Sequence, residues 1–154
     1  MKLNATIATR FVMACGLLAA ASPVWAEDEP KCTNKTLLGD YGFQIEGLIL
    51  AIPGVTVPPQ GIPLRGVAMS HFDGKGNMTQ VDHVVAGGNP PDVPWTAGTA
   101  TYTVNPNCTG TWVLVIPGSP FSPVNVSFVV NKSGKEIRAV VESNASTSIG
   151  VKID

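Results

Sequence analysis

Leu64-Arg65-Gly66-Val67-Ala68-Met69-Ser70-His71-Phe72, then Asp73-Gly74-Lys75-Gly76-Asn77, then Met78-Thr79-Gln80-Val81-Asp82-His83-Val84-Val85-Ala86: this stretch decides the fold. Two runs with period-2 character flank a glycine-rich reversal, which is the signature of a β-hairpin. The turn sets the register, with residue i opposite about 150 − i. His71 then faces Thr79, and His83 faces Val67. The same pattern repeats on both sides. Tyr41–Glu46 alternates, with Tyr41, Phe43 and Ile45 on one face. Gly98–Val104, Thr111–Ile116, Val124–Val130, Glu136–Glu142 and Ser146–Ile153 follow, each bounded by Gly, Pro, Asn or Ser. Eight short strands joined by hairpins predict an all-β, eight-stranded antiparallel up-and-down barrel, closed so that no edge is exposed. No helix of normal length and no internal repeat is visible.

The first 26 residues read as a secretory signal peptide. Lys2 and Arg10 give a positive start, Phe11–Ala21 an uncharged apolar run, and Val24-Trp25-Ala26 a cleavage site after Ala26. Removing 26 residues from 154 leaves 128, one domain over 27–154. The expected location is secreted or periplasmic. No later stretch is long and apolar enough to span a bilayer. Beyond the leader, 8 Lys and Arg face 11 Asp and Glu, a net charge of −3, which argues against nucleic acid as a partner. Cys15 leaves with the leader. Cys32 and Cys108 then remain, and in an oxidising compartment one intramolecular disulfide is open to them. Free thiols or an intermolecular link are the alternatives. Beyond the leader, six Asn-x-Ser/Thr sites begin at Asn34, Asn77, Asn107, Asn125, Asn131 and Asn144.

One segment breaks the alternation. Leu48–Pro63 is apolar and carries Pro53, Pro58, Pro59 and Pro63, so it reads as a long first loop rather than a central strand. Packed over a barrel mouth it is structural; standing free it is a ligand lid or partner surface. Tyr41 and Phe43 on the first strand, with Leu50, Ile52, Val55 and Val57 on the loop, are the candidate ligand-contacting residues.

Residues for chemistry are sparse, and Glu46, Asp73, Asp82 and Glu142 are the acids expected near a cavity or its mouth. His71 and His83 lie four positions apart along the ladder, too far for a shared metal or proton relay. Asp82 and His83 are adjacent on a strand and point oppositely. Asp73 opens a Gly loop and suits an Asx turn. Glu46 pairs with Arg65 towards solvent, or is a cavity acid. No Gly-x-Ser-x-Gly elbow, phosphate loop or metal-ligand spacing is present. No catalytic residue, metal or cofactor is assigned.

Leu38-Gly39-Asp40-Tyr41-Gly42-Phe43, Phe72-Asp73-Gly74-Lys75-Gly76-Asn77, and Gly98–Asn105 leading into Asn107-Cys108-Thr109-Gly110-Thr111 together resemble a group of small secreted microbial proteins with no assigned activity. The pattern is also similar to the calycin-like barrels of allene oxide cyclase and dirigent proteins. The first resemblance implies export and a pairing of the Cys before strand one with the Cys of the Cys-Thr-Gly turn. The Pro-rich first loop departs from it. Three functions follow as expectations: a structural barrel or binder of a small apolar ligand, an extracellular or envelope interaction protein, and, by analogy alone, a cyclase or isomerase. The oligomeric state stays open.

Overall fold

The structure, a computed structural model, describes residues 31–153. The expected leader, its expected cleavage site and Cys15 lie outside them. A four-residue 3-10 turn, Asn34–Leu37, precedes β1 (Gly39–Ile49), β2 (Ile62–Phe72), β3 (Asn77–Ala86), β4 (Thr96–Val104), β5 (Thr109–Val115), β6 (Val124–Val130), β7 (Glu136–Val141) and β8 (Ala145–Ile153). Every strand pairs antiparallel with its successor, and β8 pairs with β1 to close the barrel. The expected register holds residue for residue: His71 faces Thr79 and Val67 faces His83.

Strand one is longer than its alternation suggested, and the first loop is shorter. Leu48 and Ile49 belong to β1, Ile62 and Pro63 to β2, and the loop spans 50–61. Pro63 is tolerated because its polar edge points towards β3. Its carbonyl accepts from Gly87 N at 2.8 Å, one residue past the end of β3, so the missing N–H falls beyond the β3 ladder.

Alternation sorts the side chains. Tyr41, Phe43, Phe72, Met78, Tyr102, Trp112, Leu114, Phe128 and Ile137 point inward and are buried. Their rings interlock. Trp112 stacks on Phe128 at 5.0 Å, and Phe72 meets Tyr41 and Tyr102 edge-on at 5.3 and 5.1 Å. Two inward glycines make the room: a Cβ at Gly110 would overlap the Phe128 ring, and one at Gly150 the Phe43 ring. An apolar interior and a mixed outer wall reverse the polarity of an outer-membrane barrel. Among the described residues no helix is long and apolar enough to cross a membrane.

The two ends differ. The end where β1 begins also carries the β2–β3, β4–β5 and β6–β7 hairpins, and it is covered. A disulfide joins Cys32 to Cys108, with Cα atoms 5.0 Å apart, and ties the 3-10 turn over this end. Leu37 plugs it, fully buried. Asn34 Oδ1 accepts from Val104 N at 2.8 Å, and the Tyr102 hydroxyl donates to Asn34 O. The buried Tyr41 hydroxyl donates to Gly134 O, and burial, with Tyr102 nearby, pushes its pKa up to about 12. At the other end the loops 50–61, 87–95, 116–123 and 142–144 surround a mouth.

Candidate functional site

The open mouth is built by the same alternation that fills the core. Towards the mouth, inward positions reach Ile45, Val84, Ile116, Val124 and Val141, and each is half-buried. They form an apolar ring, and on β1 and β2 the inward positions run further, to Ile49 and Leu64, which are buried. Beside this ring, β2 and β3 carry a ladder of polar side chains. Ser70 Oγ donates to Gln80 Oε1 at 3.1 Å, and Gln80 Nε2 donates to Asp82 Oδ2 at 2.9 Å. Asp82 is 7% exposed. Burial raises its pKa above the usual carboxylate value, against the opposing effects of the Gln80 hydrogen bond and the nearby His83. Among the described residues no cation lies within ion-pair distance of it.

Two loops frame the mouth. Asn144 Oδ1 accepts from Leu50 N at 2.9 Å and Ala51 N at 3.3 Å, which holds the start of the 50–61 loop. A tight turn pairs Ile52 with Val55. Leu50 and Val55 stand 50% and 57% exposed, while Ile52 and Val57 are half-buried. The 87–95 loop presents Val93 and Trp95, the latter 55% exposed with its ring 5.9 Å from that of His83. His83 Nδ1–H donates to Pro94 O and steadies this loop.

Of the candidate contact residues, Leu50, Ile52, Val55 and Val57 come together on the first loop. Tyr41 lies at the covered end and Phe43 in the aromatic core, its ring 6.0 Å from Trp112. Glu46 pairs with Arg65 at 3.7 Å on the outer wall, and His71 with Asp40 at 2.7 Å, also outside. Asp73 makes its Asx turn. Asn77 Nδ2 and the N–H groups of Asn77, Lys75 and Gly76 donate to it, holding its carboxyl well below the usual range. Among the described residues no group of three His, Cys, Asp or Glu could hold a metal.

Two shallow concavities lie on the outer wall. One, of about 660 Å³, crosses β5–β8 past Thr111, Ser127, Arg138 and Val140; the other, of about 360 Å³, spans Gln44, Arg65, Val67 and His83. Of the Ser70–Gln80–Asp82 ladder, Asp82 is among the acids expected near a cavity or its mouth, while its partners Ser70 and Gln80 escaped the sequence reading. Their signal was the register itself, which sets Ser70 opposite Gln80 and Ala68 opposite Asp82. Neither a protein-family model nor a curated protein matches the chain.

Proposed function

We propose that the chain is a small exported binding module whose open mouth seats an apolar ligand beneath the 50–61 and 87–95 loops. The observation that carries this is the difference between the ends. One is plugged by Leu37 under a disulfide-tethered turn, while the other ends in a half-buried apolar ring. Leu50, Val55 and Val93 stand exposed on the surrounding loops, apolar area that a ligand would remove from water. The aromatic core fills the middle of the barrel, so the ligand stays at the mouth rather than deep inside. The leader-like run Phe11–Ala21 and the Cys32–Cys108 pair support action outside the cytoplasm.

The test replaces Ala51–Gly61 by a short Gly-Ser turn and titrates N-phenyl-1-naphthylamine, a neutral apolar fluorophore. The barrel is expected to melt cooperatively. Probe affinity is expected to fall at least tenfold, since each lost side-chain contact is worth ~1.5–3 kcal/mol when fully buried. Unchanged uptake, or no uptake by the native protein, sinks the reading.

A second reading, an interaction protein, draws on the outer wall. Register sets Val151, Gly42, Met69, Val81 and Ala97 in one row across five strands, with Ile149 and Val67 alongside. The large apolar side chains of this band are exposed. Concentration-dependent sedimentation abolished by Met69→Lys would favour it.

A further inference from the structure

Asp82 is hard to explain as a structural residue. Of the inward-facing side chains on the described strands, two are charged, Asp82 and Lys152. Lys152 serves the covered end, where its Nζ donates to Leu38 O at 2.6 Å and lies 5.9 Å from the Tyr41 ring centroid. Asp82 has a single hydrogen-bond donor among the described residues, the Gln80 amide, and that bond reaches Oδ2. A carboxylate taken out of water is unfavourable unless a counter-charge meets it. Its place in the barrel shows where one could come from. Asp82 pairs with Ala68 on β2 and Thr96 on β4. Thr96 and the next inward residue, Val84, are both half-buried at the mouth. The carboxyl therefore sits one inward position below the apolar ring.

We infer that the ligand of the open mouth is a cationic amphiphile, a primary ammonium on an alkyl chain, with its head group meeting the Asp82 carboxylate and its chain covering Ile45, Val84 and Ile116. This rests on the reading of the mouth as a ligand seat. It adds the chemistry of the head group. Charge complementarity carries it: the mouth offers one buried anion, no cation within ion-pair distance of it among the described residues, and an apolar ring above. A fatty carboxylate would bring a second anion to Asp82. A neutral alcohol could donate one hydrogen bond but supply no charge.

The experiment compares three probes of equal chain length on the native protein at pH 7 by isothermal titration: n-octylamine, n-octanol and octanoate. Octylamine is expected to bind at least tenfold tighter than octanol, and octanoate weaker than both. Asp82→Asn is expected to bring octylamine to within threefold of octanol. Equal affinity for amine and alcohol in the native protein overturns the inference and leaves the mouth reading standing. So does an amine preference that survives in Asp82→Asn. If none of the three binds, the mouth reading falls and this inference with it. The native comparison decides even if the variant fails to fold.

Discussion

At Asp82 burial and ionisation oppose each other. Its folded pKa lies above the unfolded value, so the folded state holds the proton more tightly. That contribution to stability is fully present below the unfolded pKa and is lost as pH rises through the raised one. Asp82→Asn should therefore raise the melting temperature at pH 7, and the gain over the native chain should vanish near pH 3. A gain of equal size at both values would refute it. Asp73 runs the other way. Its carboxyl is held low by Asn77 and the turn amides, and the stability it contributes is lost as pH falls. The comparison of Asp82→Asn with the native chain cancels that background. Gly150 makes a steric prediction. An added methyl would enter the Phe43 ring, so Gly150→Ala should destabilise by about 1–3 kcal/mol in chemical denaturation. A neutral result would mean that the ring has slack.

Single elements explain which parts of the fold were readable. The β2–β3 hairpin was legible to the residue, because Asp73-Gly74-Lys75-Gly76-Asn77 fixes the turn and period 2 fixes the faces. The end of β1 was not. Prolines ahead of β2 argued against a strand there, and what reverses the argument is the position of Pro63 opposite the end of β3. The 3-10 turn was also invisible, since four residues carry no period, yet it decides which end is closed. Parity put Asp82 opposite to His83 but said nothing of depth; burial depends on how large side chains from other strands fill the middle. Several Asn residues of the Asn-x-Ser/Thr sites have a plain structural use: Asn34, Asn107, Asn131 and Asn144 accept backbone N–H bonds. The cap gives its own prediction. Cys32 and Cys108 close a loop of 76 residues, so replacing both by Ser should cost about 2–4 kcal/mol. Amide exchange should rise first at 33–38 and 104–109 while the strands stay protected. Uniform loss of protection would mean that the barrel itself depends on the bond.

On the scale of the molecule, both chain ends of the described barrel meet at the covered end. β1 and β8 lie side by side, with Asp40 opposite Ile153. A permutant that links residue 153 to residue 31 and opens the chain within the exposed 50–61 loop should therefore fold cooperatively to the same barrel. Loss of cooperative melting would show that the first loop holds structure its exposure hides. The β1–β8 seam also bears on how the molecule comes into being. Synthesis runs from the N-terminus, and 95 residues (50–144) separate the end of β1 from the start of β8. Over that interval β1 has a free hydrogen-bonding edge and its partner does not yet exist. The barrel cannot close before β8 is made, and a nascent chain cut short before Ala145 presents open edges to any other copy it meets.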